Sequence, residues 1–310
     1  MPTVNLTSLN DTLTTAAGDY TIYSGGGNDT ITTGAGNGAI YATLAGNNTI
    51  TMGAGNSIVH TSGMGNQTIT TGAGISDIMT GAGNSTITTG AGGSAITTGD
   101  GNSTITTGAG VSVITTGNGN STITTGAGGS TIHTGNGNGN NTITTGAGGS
   151  TITTGHGTGN NTITTGAGGS TVTTYGGNDT ITTGAGNSVV DSGTGNDTVT
   201  TAAGNDVVAY HVTGNLGNHS TFTAGTGVDT LKLVMTCTDL GGAGVQSDIA
   251  NYLTFLSANK GANGEDGAAA FTFNAFGLTA SMFENLQVVV DGVSVNPAEL
   301  VGVYYSHCDT

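Results

Sequence analysis

The sequence predicts an all-β protein, a parallel β-solenoid or β-roll with a small mixed α+β domain closing its C-terminal end. Three observations carry this prediction. Glycine accounts for 60 of 310 residues and proline for only 2, far from the ordinary globular mix. An aliphatic residue recurs at intervals of about nine through the first two-thirds of the chain, each time inside a Thr-Ile-Thr-like segment bounded by a glycine-rich turn. Disordered chains lack apolar residues placed so regularly, so the pattern reads as order.

The aliphatic residues run from Leu13, Ile22 and Ile31 through Ile105, Ile114 and Ile123 to Val190, Val199 and Val208, 22 in all. A nine-residue unit holds one short strand and one turn, and the turn glycines supply left-handed backbone positions. Between Gly90 and Gly169, turns of Gly-Ala-Gly-Gly or Gly-Ala-Gly-Val type alternate with turns ending in asparagine, so two units make one coil and the true period is 18. Eleven such coils at ~4.8 Å per strand predict a rod of roughly 50 Å. The longer spacings before Ile50, Ile69, Ile143 and Ile163 share one parity, which sends every insertion to the same edge.

With the aliphatic residue pointing inward, its two neighbours point outward. One predicted face is Thr-x-Thr in every rank from Thr12/Thr14 to Thr198/Thr200, and includes Thr86, Thr88, Thr104, Thr106, Thr122, Thr124, Thr142, Thr144, Thr162 and Thr164. The other face is irregular and more apolar, with Thr21/Tyr23, Ala39/Tyr41, Ile58/His60 and Asp77/Met79 among its ranks. Asn47, Asn66, Asn84, Asn102, Asn120, Asn140, Asn160 and Asn178 recur on one edge and predict a hydrogen-bonded ladder along the rod. Their Asn-x-Thr triplets are a by-product of the repeat.

The repeat stops at Val212, which divides the chain into a solenoid over 1–211 and a C-terminal capping, assembly and secretion domain over 212–310. In the second part, Val245, Ile249, Tyr252, Leu253 and Leu256 keep helical spacing. Ser281 to Glu284 reads as a capping box, and Val288 to Val295 as a hairpin around Asp291-Gly292. Such a domain would cover the apolar end of the last coil. Val4, Leu6 and Leu9 run straight into the first coil with no comparable cap. Cys237 and Cys308 are the only cysteines, and both a disulfide and two free thiols are open to them.

Charge narrows the function. The chain has no arginine, two lysines (Lys232 and Lys260) and 18 acidic residues, a formal net charge of −16, which repels nucleic acid and anionic lipid surfaces. No stretch has the length and apolarity of a membrane helix. Residues 1–10 lack a signal-peptide pattern, so export would use an uncleaved signal. Residues 1–211 contain no Lys, Arg or Glu and a filled solenoid leaves no cleft, so no enzyme is expected. His60, His133, His156, His211, His219 and His307 show no ligand spacing and read as surface residues.

The segments Ser24-Gly25-Gly26-Gly27-Asn28-Asp29-Thr30-Ile31 and Ser192-Gly193-Thr194-Gly195-Asn196-Asp197-Thr198-Val199 resemble the repeats-in-toxin (RTX) nonapeptide, G-G-x-G-x-D-x-U-x. The resemblance implies a parallel β-roll in which turn carbonyls and aspartates hold Ca2+ between successive coils. Carried onto this chain, it makes Asp11, Asp29, Asp179, Asp197 and Asp206 metal ligands, with Gly25, Gly27, Gly193 and Gly195 in the ligating turns. Ser, Asn, Gln or Gly fills the aspartate slot in most units from Ile40 to Val172, which confines calcium to the two ends. The stretch from Phe271-Thr272-Phe273 to Phe283-Glu284-Asn285-Leu286 is similar to the closing segment of proteins exported by type I secretion.

The expected function is therefore a secreted, non-enzymatic structural protein, extracellular or at the cell surface, that assembles with copies of itself into an open filament or coat. Val4, Leu6, Leu9, Tyr23 and Tyr41 are the expected interface, because an uncapped strand edge invites another chain and unlike ends that join do not close. The alternative is ice binding, since the Thr-x-Thr face is similar to that of insect β-solenoid antifreeze proteins. A role as an adhesin is a further reading.

Overall fold

A computed structural model describes residues 1–242, 244–259, 269–300 and 308. The chain is a parallel β-solenoid of about eleven 18-residue coils, with its strands in two sheets and a small helical and β region towards the C-terminus. It divides into two compact units, Met1–Gly157 and Thr158–Thr310.

In the first unit, strands alternate between the sheets. Ser85–Thr88, Ser103–Thr106 and Ser121–Thr124 stack in one, and Ser94–Thr97, Ser112–Thr115 and Ser130–His133 in the other. The register is 18 where spacing is regular, with Ile87 beside Ile105 and Ile105 beside Ile123. Insertions displace it without slipping it: Ile31 pairs with Ile50 and Ile123 with Ile143. The reason is the pleat. A slip of one residue would turn the isoleucines out and the threonines in, whereas a longer turn only bulges at the edge, where Leu44 and Met64 are exposed.

The core of each coil is narrow. The inward isoleucines of the repeat in this unit, from Ile22 to Ile152, are 0–2% exposed, and on either side of them stand buried Ser and Thr. Twelve residues precede Leu13, and they do more than run into the first coil: Thr3–Asn5 is a strand of its own, with Val4 beside Ile22.

The second unit repeats this construction through Thr162–Thr164, Thr180–Thr182 and Thr198–Thr200 in one sheet and Thr171–Thr173, Val189–Asp191 and Val207–His211 in the other. The sequence repeat ends at Val212, but the ladder continues beyond it. Ser220–Thr223 pairs with Thr198–Thr200 and then with Leu278–Ser281, while Thr230–Met235 pairs with Val207–His211 and then with Asn285–Val290, all in parallel. The outward Thr pair also continues, as Thr221/Thr223 and then Thr279/Ser281.

Only the last rungs reverse. Ala270–Phe273 and Val293–Val295 each add antiparallel. The second is the predicted hairpin, turned by Asp291 (φ 48°) and Gly292 (φ 82°), both left-handed as a two-residue hairpin loop needs. Here the core becomes aromatic. Tyr210 packs on Phe222 and Phe276, and Phe273 on Phe276. The predicted helix spans Val245–Asn259 and buries Val245, Ile249, Tyr252 and Leu256, with Tyr252 against Phe271 and Phe273.

Two points left to the structure are settled in this unit. Cys237 and Cys308 form a disulfide. The predicted capping box at Ser281–Glu284 starts no helix: Ser281 ends a strand, Phe283 is fully buried, and Asn285 begins the next strand. The Ser-x-x-Glu spacing instead serves a corner, where the Glu284 carboxylate accepts from the N–H of Asp229. No described helix is long and apolar enough to cross a membrane.

Candidate metal centre

The chemistry concentrates at one position of the coil, two residues before the inward aliphatic. Strand parity turns that residue inward as well, so whatever occupies it lies in a dry corner. In the middle coils it is serine, and the corner is neutral and closed. Thr71 bonds Ser76 (2.7 Å), Thr80 bonds Ser85 (2.9 Å), Thr89 bonds Ser94 (2.8 Å), and Ser103, Ser112 and Ser121 bond Thr98, Thr107 and Thr116 at 3.0–3.2 Å.

Where aspartate occupies the corner, the geometry is different. Asp29, Asp179, Asp197, Asp206 and Asp229 are 0–1% exposed. In each, Oδ1 accepts the backbone N–H of the preceding rank: Asp11 to Asp29 (3.0 Å), Asn161 to Asp179 (2.7 Å), Asp179 to Asp197 (2.9 Å), Ser188 to Asp206 (2.6 Å) and Asp206 to Asp229 (2.7 Å). In each, Oδ2 is buried and has no hydrogen-bond partner, and neither have the hydroxyls of Ser24 and Thr201 five residues before Asp29 and Asp206. A buried unpaired carboxylate oxygen is among the most unfavourable groups a fold can carry. Burial pushes the carboxyl of Asp179 up, and those of Asp197 and Asp229 up to about 6.

Asp179 and Asp197 share one edge of neighbouring coils, as predicted, and Asp11 and Asp29 do the same. Asp11 is the exception in kind: it is only half-buried, and its Oδ2 accepts from both the N–H and the hydroxyl of Thr7 at 2.7 Å. Asp206 and Asp229 stack on the opposite edge, extended by Glu284, whose Oε2 lies 2.6 Å from the Asp229 nitrogen. Neither Asp229 nor Glu284 was among the predicted ligands. The signal for Asp229 was present in Gly225-Thr226-Gly227-Val228-Asp229-Thr230-Leu231, which keeps the nonapeptide order one loop beyond the regular repeat. Glu284 stands two residues before Leu286, the residue paired with Leu231.

The predicted turn glycines differ from those of the other coils. Gly25 and Gly193 open their turns at φ 74° and 73°, and Gly27 and Gly195 follow at 95° and 141°. A side chain at Gly193 would stand 2.1 Å from the Tyr175 carbonyl oxygen, so both conformation and packing demand glycine there. The carbonyls of Gly193 and Gly195 accept from Asn215 Nδ2 (2.9 Å) and the Ser220 hydroxyl (3.1 Å).

Oxygen donors, carboxylate beside backbone carbonyl, suit a hard divalent cation such as calcium, and the five unpartnered Oδ2 atoms are where this fold has donors to spare. Among the described residues, no three His, Cys, Asp or Glu side chains converge on one point, so any ion at these stacked pairs would draw its remaining ligands from the backbone. Two of the histidines pair with aspartates other than these: His211 sits 3.0 Å from Asp191, which raises its pKa by hydrogen bonding, and His60 sits 3.6 Å from Asp77, while His307 lies outside the described residues.

The predicted interface residues lie at the N-terminal rungs. Val4 and Leu6 are half-buried, Leu9 is 71% exposed, and Tyr23 stacks on Tyr41 at 5.3 Å. Within each unit the outer asparagines form ladders of the predicted kind, a backbone N–H donating to the Oδ1 of the rank before, as from Asn84 to Asn66 and Asn102 to Asn84 at 2.9 Å and from Asn178 to Asn160 at 2.7 Å.

Stacked glycine-rich corners that alternate between serine pairs and buried carboxylates define a parallel β-roll of calcium-binding type. The family model for the RTX calcium-binding nonapeptide repeat matches in four copies, at residues 7–40, 95–123, 157–190 and 173–208. Repeat and fold together make this chain an RTX-type β-roll protein. No curated protein matches it.

Proposed function

We propose that this chain is a secreted, non-enzymatic structural protein whose carboxylate-bearing coils are stiffened by calcium and whose copies join head to tail into an extracellular filament or surface coat. The single observation that carries the calcium part is the row of buried carboxylates with one oxygen each left unpartnered. Among the described residues no lysine or histidine forms an ion pair with them. It has no arginine and two lysines, and among the described residues the ion pairs are those of His60 and His211. A cation from solution removes the unfavourable burial, and the donor set selects calcium. Isothermal calorimetry tests it: calcium binding that is weakened by Asp179→Asn with Asp197→Asn is the expected result, and absence of bound calcium in the intact protein overturns it.

Assembly is supported by the N-terminal rungs. Among the described residues, Thr3–Asn5 and Thr12–Thr14 each have a strand on one side only, and an unprotected edge pairs readily with another chain. Burial of Leu6 and Leu9 adds apolar area at ~25 cal/mol per Å². Deleting residues 1–10 would remove a rung, so the sharper variant is Leu6→Asp with Leu9→Asp. Light scattering should show calcium-loaded protein growing with concentration and the double variant remaining monomeric. A wild-type protein that stays monomeric at high concentration contradicts the reading.

A second reading, ice binding through the Thr-x-Thr face, is favoured by the continuation of that face at Thr221/Thr223 and Thr279/Ser281. The surrounding sequence is no longer repetitive there, so copying of a repeat does not explain the threonines. Replacing Thr104, Thr106, Thr122 and Thr124 by lysine should abolish thermal hysteresis while the fold persists. Absence of ice shaping by the unmodified protein removes the reading.

A further inference from the structure

Three residues of the second unit depart from the repeat and meet in one groove. Tyr175 follows the last threonine of its segment, where Gly99, Gly117, Gly135 and Gly155 stand in earlier ones. Asp191 takes the outward position that Thr173 holds in the rank before it. His211 ends a strand of five residues, Val207–His211, where Thr171–Thr173 and Val189–Asp191 have three. With Thr173, Thr194 and Thr213 these side chains line a groove of about 260 Å³ beside the Gly193 turn. Its polar centre is fixed in place. The Asp191 oxygens lie 3.0 and 3.1 Å from His211 Nε2, and Oδ1 also accepts the Gly193 N–H at 3.1 Å. Of the roughly four acceptor positions on a carboxylate, these contacts leave one, on Oδ2. The pair is 34–35% exposed, so it is held by the fold and still open to a ligand.

The lining selects what could enter. A cation is disfavoured, because His211 already faces both carboxylate oxygens and, among the described residues, no three His, Cys, Asp or Glu side chains converge. An anion would have to approach Asp191 in a chain of net charge −16. An apolar ligand would cut the ion pair off from water without replacing the lost hydrogen bonds. A neutral polyol meets none of these objections. One hydroxyl can donate to Asp191 Oδ2 in a charge-assisted bond, others can exchange hydrogen bonds with the threonine hydroxyls, and the Tyr175 ring offers an apolar wall for C–H groups. The volume falls just short of the ~300 Å³ at which small-molecule sites usually begin, which suits a single sugar ring.

We propose that this groove binds a neutral carbohydrate, one sugar ring at a time, with Asp191 as acceptor, His211 holding Asp191 in position and Tyr175 as the apolar wall. The site gives the chain a recognition function, and it stands apart from the calcium, assembly and ice readings, because it uses none of the buried aspartates, the N-terminal rungs or the Thr-x-Thr face.

Amide NMR of the full chain with calcium present, titrated with the methyl glycosides of glucose, galactose, mannose and N-acetylglucosamine, tests this. At least one glycoside should give saturable shifts at Tyr175, Asp191, Gly193 and His211. Asp191→Asn should weaken that binding about tenfold or more, the factor a hydrogen bond to a charged group supplies. Tyr175→Ser should weaken it as well, with the rest of the spectrum unchanged in both variants. Should Asp191→Asn fail to fold, Tyr175→Ser on the groove wall carries the comparison alone. No saturable shift at these four amides with any of the glycosides overturns the proposal, as does unchanged affinity in either folded variant. Equal shifts with acetate overturn it too, by showing an anion site. None of these results bears on whether the buried aspartates hold calcium.

Discussion

The serine corners of the first unit and the aspartate corners of the second stand on the same backbone. Both keep an 18-residue register, both bury a β-branched residue beside the corner, and both turn on glycine. They differ in one inward side chain. Ser85, Ser94 or Ser103 meets a threonine hydroxyl and leaves the corner neutral and satisfied, whereas Asp179, Asp197 and Asp206 accept one backbone N–H and hold a second oxygen with nothing to accept. The lesson is that this solenoid contains two kinds of coil. Serine coils satisfy their corners within the chain, and aspartate coils leave a buried carboxylate oxygen that, on the calcium reading proposed above, a cation would take up.

The largest test of that contrast is to convert one kind into the other. Ser103→Asp with Ser121→Asp places carboxylates 18 residues apart on adjacent rungs in the middle of the first unit. Each breaks a Ser–Thr pair and buries an unpaired charge, so calcium-free stability should fall by about 3–5 kcal/mol. Calcium should restore part of it if the backbone of the middle coils can complete a site. Denaturant unfolding with and without calcium measures both effects, and a double variant as stable as wild type in chelator contradicts the account of the corners.

Removing calcium from the natural protein is the next largest. Chelation should destabilise the coils around Asp179, Asp197, Asp206 and Asp229 by roughly 2.7 kcal/mol for each site previously held at a hundredfold its Kd, and leave exchange from Ile69 to Ile123 unchanged. Uniform loss of protection along the chain would show that the two kinds of coil are one cooperative unit.

A smaller effect is expected from pH. Asp197 and Asp229 hold their protons up to about 6 in the fold, against the ordinary 3.8, so between these values the folded state binds more protons than the unfolded one. Stability of the calcium-free protein should then be greatest at and below about pH 4 and decline as pH rises to about 6. Asp197→Asn with Asp229→Asn should flatten that decline in a thermal-melt series. Stability that instead rises through this range in chelator would contradict the assignment.

The smallest belongs to the outer edge. Asn102→Ala removes the acceptor for the Asn120 N–H at 2.9 Å, but both residues are exposed and water replaces the bond, so the change should stay within ~0.5 kcal/mol and be independent of calcium.

Much of this was legible beforehand. Leu13 to Val208 announce their inward direction through spacing alone, and the same parity places Asp29 and Asp197 in the corners before any coordinate is known. What the sequence by itself determined is everything that depends on equal spacing: two strands per coil, the Thr-x-Thr face, the asparagine ladder and the aspartate slots within the repeat. The tertiary structure decided what depends on adjacency without equal spacing. Asp229 lies 23 residues after Asp206 and Glu284 lies 55 after Asp229, yet each is the next rung of one stack. A ladder hydrogen bond needs only that two backbones run side by side, and a loop of any length between them satisfies that. Periodicity vanishes as soon as loop lengths vary, so the last rungs, the extra threonines at 221 and 223, the Cys237–Cys308 bond and the true place of Ser281–Glu284 emerged only when the chain was folded.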